Sequence, residues 1–189
     1  MSVQILSEAE KKSLLKVARA TIERCVGLAV PGTSVTEAPT FPAGAFVSLH
    51  RNGELRGCIG TFEMSSPVVH AVREMAQAAS TRDTRFKPVS AEEMSGLNIE
   101  ISVLTPSRKI TDVSEIEIGV HGLIISNGYR RGVLLPQVAT EYRWDRETFL
   151  AQTCTKAGIP RDAWKQPSTS IEVFTAQVFG EKDYSSSAD

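Results

Sequence analysis

Little in this 189-residue chain points to metal, disulfide or membrane chemistry. Its three cysteines, Cys25, Cys58 and Cys154, are an odd number spread far apart. Such a set builds no disulfide framework and favours a reducing compartment. There is no CxxC, no HxxxH and no clustered Cys/His spacing, so no metal site is expected. A Walker-type loop and a GxGxxG ahead of a helix are both missing, which removes the common phosphate cradles. No apolar run approaches the roughly 20 residues of a transmembrane helix. Met1 to Glu10 is polar and lacks the apolar core of a signal peptide. The expectation is a cytoplasmic protein with no membrane attachment. Net charge is scarce too: 21 basic against 22 acidic residues leave −1. Net charge therefore gives no indication of nucleic-acid binding, which would need a local patch. No internal repeat is visible, and no cofactor is evident.

What is present suits one domain, or one domain with two lobes, with an ordinary 41% apolar content. Ser7-Glu8-Ala9-Glu10 is a capping-box pattern, followed by a helix with Leu14, Ala18, Ile22 and Cys25/Val26 on one stripe. Residues 30–44 hold Pro31, Pro39 and Pro42 with little periodicity; this loop is either a lid over Cys58 or a plain surface connection. Ser66-Pro67 reads as N-cap and first turn of a second helix, with Val68, Val69, Val72, Met75, Ala76 and Ala79 buried. Leu97 to Leu104 reads as a strand stopped by Pro106, and a second hairpin is expected around Asn127-Gly128. Asp145 caps a further helix with Phe149, Leu150, Thr153, Cys154 and Ala157 inward, and Ile171 to Phe179 is a last strand.

These elements predict an α+β fold, a largely antiparallel sheet flanked by helices. The sheet is expected to take strands from 45–60, 97–104 and 171–179. The larger lobe spans about 6–105 plus 145–181, the smaller β-hairpin lobe about 106–144, with a cleft between lobes and a disordered tail over 182–189.

The most chemically suggestive stretch is Leu55-Arg56-Gly57-Cys58-Ile59-Gly60-Thr61-Phe62, entered through Asn52-Gly53. Asn-Gly tolerates positive φ at both central positions of a type I′ turn, which makes residues 45–61 a hairpin. With a two-residue loop, Arg51 pairs with Glu54, Leu49 with Arg56 and Val47 with Cys58. Alternation then sets Arg56 and Cys58 on one face and His50 on the other. Glycine inside a strand marks close approach by a ligand or another backbone.

The motif, its hairpin, and the later stretches Asp83-Thr84-Arg85-Phe86, Leu97 to Leu104, Ile118 to Leu123 and Arg131 to Ala139 resemble the AMMECR domain family. Its microbial members are called AmmeMemoRadiSam system protein A. The resemblance covers nearly the whole chain, ending around Phe179. It implies the two-lobed split and an uncharacterised activity, with a Memo-like protein (similar to extradiol dioxygenases) and a radical SAM protein as partners. Such a set looks like a modification or biosynthetic system.

Two functions fit these residues. In the first, an enzyme or enzyme subunit uses Cys58 as a reactive thiol. Arg56 favours its thiolate or holds an anionic substrate, and His121 reaches across as base. In the second, the same stretch shapes a groove for a ligand, nucleotide or partner protein without turnover. Gly57, Gly60 and Thr61 would line either site. Asp83 and Arg85 present an acid and a cation from one loop, or form a local ion pair. Gln137 and Glu141 share one helix face that lines a cleft or meets solvent. Cys25 and Cys154 lie on apolar helix stripes and read as core.

Overall fold

The computed structural model describes residues 4–30 and 38–184. Most of the suggested lid loop, residues 31–37, and the end of the expected tail, residues 185–189, lie outside the described residues. In chain order the elements are α1 (Glu8–Cys25), β1 (Ala45–Arg51), β2 (Glu54–Thr61), α2 (Val68–Thr81), β3 (Leu97–Leu104), β4 (Arg108–Ile110), β5 (Gly122–Asn127), β6 (Arg130–Leu134), α3 (Pro136–Glu141), α4 (Arg146–Lys156), β7 (Ser170–Phe174) and β8 (Ala176–Gly180). They form two four-stranded sheets, ordered β2-β1-β3-β8 and β4-β7-β5-β6. The α+β class holds, but the expected single sheet is two. The strand foreseen over 171–179 breaks at Thr175, with β7 in one sheet and β8 in the other.

Chain contacts divide the described residues into a first unit, residues 4–30 and 38–104 with 177–184, and a second, residues 105–176. Helix α4 and strand β7, expected in the larger lobe, therefore belong to the second unit. In the first unit, Leu14, Ala18 and Ile22 of α1 and Val68, Val72 and Ala76 of α2 pack on one face of the sheet. Val47, Leu49, Ile99 and Ile101 meet them there. Each Leu, Ile or Val among them contributes roughly 1.5–3 kcal/mol on burial. The second unit buries Phe149, Leu150 and Cys154 against Leu123, Ile125, Ile171 and Val173. The alternation of β1 and β3 leaves Phe46, Ser48, His50, Asn98, Glu100 and Ser102 on the face away from the helices.

Most of the helix signals hold. The Ser7–Glu10 capping box forms, and the Asp145 carboxylate accepts from the Thr148 amide at 2.8 Å. Two expectations fail at helix ends. Cys25 is the last residue of α1 and is exposed, because the buried stripe runs out at Ile22 as the helix leaves the core. Helix α2 begins at Val68 with Pro67 as its N-cap, and no side chain caps it.

The two hairpins also differ. Asn52 and Gly53 have φ of 53° and 84°, as a type I′ turn requires. In the second hairpin Asn127 pairs with Arg130, so the loop is Gly128-Tyr129 and only Gly128 has positive φ. That is the requirement of a type II′ turn, one residue later than expected.

The structure exposes an internal repeat that composition hides. Both units run strand, strand, helix, strand, β1-β2-α2-β3 and β5-β6-α4-β7, with the short helix α3 inserted ahead of α4 in the second. The second strands read Asn52-Gly53-Glu54-Leu55-Arg56-Gly57-Cys58-Ile59 and Asn127-Gly128-Tyr129-Arg130-Arg131-Gly132-Val133-Leu134. The third strands share Ile99-Glu100-Ile101 and Ile171-Glu172-Val173. In each copy the mid-strand glycine lets the following helix touch the sheet. A Cβ on Gly57 would lie 2.5 Å from the Ala79 carbonyl oxygen, and one on Gly132 would lie 2.5 Å from that of Thr153.

Candidate functional site: the open face of the first sheet

The first hairpin is not regular. Its register slips between Leu49 and His50, so that His50 faces Leu55, Leu49 faces Gly57 and Ser48 faces Cys58. Arg56 is the extra residue of a bulge. The expected pairings Leu49–Arg56 and Val47–Cys58 are therefore shifted by one. Because opposed residues share a face, the slip places Cys58 with Ser48 and His50, where His50 was expected on the opposite face.

Across the open face, Cys58 sits beside Ser48, and Ser48 beside Glu100. The Ser48 hydroxyl donates to Cys58 Sγ at 3.2 Å. Burial pushes the Cys58 thiol above its ordinary value; the Ser48 hydrogen bond and the charge of Arg85 oppose this only in part. The bulge turns Arg56 away. Its guanidinium donates to both Glu93 carboxylate oxygens, at 2.8 and 3.0 Å, and to the Pro88 carbonyl at 3.3 Å. That ion pair holds the Glu93 carboxyl down at about 2.

Asp83 and Arg85 work on the backbone of Cys58. Strand β2 is an edge strand, so its outward peptide groups lack a neighbouring strand. The buried Asp83 carboxylate accepts from the Cys58 amide at 2.9 Å, and Arg85 donates to the Cys58 carbonyl at 3.2 Å. Arg85 also donates to both Asp83 oxygens, at 2.9 and 2.7 Å. This fork keeps the Asp83 carboxyl well below the usual carboxylate range.

The glycines of the motif face protein. Gly57 meets the α2 backbone, and the Phe46 ring occupies the place of a side chain on Gly60, its cross-strand partner. The Thr61 hydroxyl accepts from the Glu63 amide at 3.1 Å. The remaining candidates lie in the second unit. His121 Nδ1 accepts from the Glu117 amide at 3.0 Å. Gln137 is half-buried and its Oε1 has no partner, whereas Glu141 is exposed.

Beside the Cys58 row the open face deepens into a hollow of about 420 Å³. His50, Asn98, Glu100, Val178, Gly180 and Lys182 are among its lining residues. His50 Nε2 is buried and has no hydrogen-bond partner. Ser48, Asn98, Glu100 and Lys182 were not foreseen. For the first three the signal was the polar alternation of β1 and β3, whereas Lys182, in the turn after β8, had none.

The internal repeat acts as a control. Residues common to both copies (Asn-Gly, the arginine, the mid-strand glycine, the Ile-Glu pair) are those the fold reuses. Where the first copy has Cys58, Ser48 and His50, the second has Val133, Ile124 and Ser126 at matching sheet positions. The fold does not require a polar group at the places of Cys58 and Ser48, whereas Ser126 keeps one at that of His50. Among the described residues no group of three or more His, Cys, Asp or Glu is placed to hold a metal, and no helix is long and apolar enough to cross a membrane.

Comparison with known proteins agrees with the sequence resemblance. A protein of Methanothermobacter thermautotrophicus is 42% identical over 186 residues, covering 93% of this chain and 96% of that one. One of Methanocaldococcus jannaschii is 41% identical over 188 residues, covering 95% and 94%. The crystal structure of an uncharacterized protein from Pyrococcus horikoshii superimposes with a TM-score of 0.83 at 38% identity, covering 94% of each chain. The AMMECR1 family model matches residues 15–179, and the chain belongs to that family.

Proposed function

We propose that this chain is a non-catalytic ligand-binding module whose recognition surface is the open face of the first sheet. The observation that carries the reading is the state of Cys58. Its thiol is raised by burial and hydrogen-bonded by Ser48, and its backbone is held by Asp83 and Arg85. A thiol nucleophile needs the opposite: a lowered pKa or a base within hydrogen-bond reach. Arg56, the cation first suggested for that role, is engaged with Glu93. Polar groups that the fold does not need, gathered beside a hollow, suit recognition without turnover. In this reading the Memo-like and radical SAM proteins implied by the family resemblance make or use the bound molecule.

The pH dependence of alkylation tests the choice. Iodoacetamide followed by peptide mapping should modify Cys58 slowly at pH 7–8, with its rate rising only above the range of a free thiol, about 8.5. Arg56→Ala should leave that profile in place, and Arg85→Ala should move it up. A Cys58 labelled as thiolate below pH 8 would restore the thiol-enzyme reading.

A further inference from the structure

We infer that the free edge of β6, in the second unit, takes up an extended acidic segment of a partner protein as an added strand. The inference goes beyond the binding module proposed above and does not depend on it. Strand β6 ends its sheet, whose order is β4-β7-β5-β6. Asn127 and Arg130 close a two-residue loop, and the pair that closes such a loop is hydrogen-bonded. Alternation then leaves Arg131 and Val133, opposite Ser126 and Ile124, with their N–H and C=O groups directed off the edge. Among the described residues nothing bonds to those groups.

The first unit provides the contrast. Its edge strand β2 is bulged at Arg56, and the outward groups of Cys58 are taken by Asp83 and Arg85. A bulge and a covering side chain are two ordinary ways to keep a strand edge from pairing. The second unit has neither. Strand β6 pairs with β5 without a shift from Leu123–Leu134 to Asn127–Arg130. Asp83 stands four residues after Ala79, whose carbonyl meets Gly57. Four residues after Thr153, whose carbonyl meets Gly132, stands Ala157, which has no polar side chain to offer. The repeat thus closes one edge and leaves the matching one open at Val133.

The residues along the edge choose its occupant. Arg130 and Arg131 are both exposed. Arg130 donates to the Gly158 carbonyl and lies over the Tyr129 ring. The Arg131 side chain has no hydrogen bond or ion pair among the described residues. Two arginines on one edge oppose pairing with a second copy of that edge and attract a strand that carries carboxylates. On the other face of β6, Leu134 is half-buried against the core of Phe149 and Leu150, so that core reaches the edge. A partner strand with carboxylates on the Arg131 face and apolar side chains on the Leu134 face meets both.

The test is NMR of the full-length, isotope-labelled protein titrated with an end-blocked hexapeptide of alternating glutamate and valine. In the free protein the Arg131 and Val133 amides should exchange with solvent as fast as those of a loop. Saturating peptide should slow both by at least about tenfold. The same peptide with lysine for glutamate should bind about fivefold more weakly or worse, since an exposed ion pair is worth at most about that much. The glutamate peptide N-methylated throughout keeps its charges but loses its strand donors, and should not bind. Arg131→Glu should weaken the glutamate peptide by about fivefold or more and strengthen the lysine peptide. Val133→Pro removes an off-edge N–H where an edge strand tolerates proline, and should weaken binding with the circular dichroism spectrum in place.

Slow exchange of both amides in the free protein would mean that the edge is already covered, and would overturn the inference. So would β6 amides that do not move at millimolar peptide, shifts in β2 instead of β6, or equal binding of the lysine or N-methylated peptide. Should Val133→Pro fail to fold, Arg131→Glu decides, and an unchanged affinity there would overturn it too.

Discussion

The carbonyl oxygen of Ala79, in the last turn of α2, stands 2.5 Å from where a Cβ on Gly57 would lie. The obstacle is backbone, and a helix packed along its length cannot retreat locally. Gly57→Ala should therefore destabilise the protein by about 1–3 kcal/mol, the usual cost of overpacking. Gly60→Ala should cost at least as much, because its Cβ would fall on Cγ of Phe46, the root of the ring rather than a movable end. Urea midpoints of the two variants check the order, and an unchanged midpoint for Gly57→Ala would mean that helix and strand are not held together.

Acid should unpick the surroundings of β2 in a defined window. Arg56 holds Glu93 down to about 2, and Arg85 holds Asp83 below the usual carboxylate range. Groups depressed on folding stabilise fully above their unfolded pKa of about 4, and that stabilisation is lost as pH falls through the folded values. Glu93→Gln should cost about 1–3 kcal/mol at pH 7 and flatten the stability profile below about pH 4.5. Thermal melts from pH 7 to pH 2 would show it, and parallel profiles for variant and parent would exclude it.

The three thiols should separate cleanly. Cys25 is exposed and Cys154 fully buried. Alkylation of the folded protein should take Cys25 first and Cys154 only on unfolding. Cys25→Ser should change stability by no more than about 0.5 kcal/mol. Cys154→Ser should cost about 1–3 kcal/mol for a hydroxyl on an apolar face. Early labelling of Cys154 would contradict its place among Phe149, Leu123 and Val173.

Gly128 has φ of 59°, in the left-handed region. Gly128→Val places a β-branched residue there and should cost at least about 1 kcal/mol. A denaturation midpoint equal to that of the parent would show that the turn relaxes to another form.

How much of the fold and of the site was legible in the chain depends on the range of the forces involved. Ser7 with Glu10, Asp145 with Thr148, and the stripe of α2 are local, so spacing alone finds them. Asn52-Gly53 also predicts its turn. It does not predict the bulge at Arg56, which depends on how Gly57 meets α2, some twenty residues on. That single extra residue moves Cys58 from Val47 to Ser48, brings His50 onto its face and sends Arg56 to Glu93. The stretch around Cys58 was thus singled out from the sequence, but the residues beside it were misread. Thr175 hid the second error. Ile171 to Phe179 is apolar enough for one strand, and only the threonine's hydrogen bonds with Thr105 mark the point where the chain changes sheets.

That change of sheets occurs twice. After β3 the chain passes Thr105 and places β4 beside β7; after β7 it passes Thr175 and places β8 in the sheet of β3. The repeated segments and the compact units are therefore out of step by one strand. Cleaving the chain between Ile110 and Gly122 would separate β1 to β4 from β5 to β8, leaving each fragment with the edge strand of the other's sheet. Neither piece completes its own sheet alone, whereas the two mixed together hold every strand needed, the condition for fragment complementation.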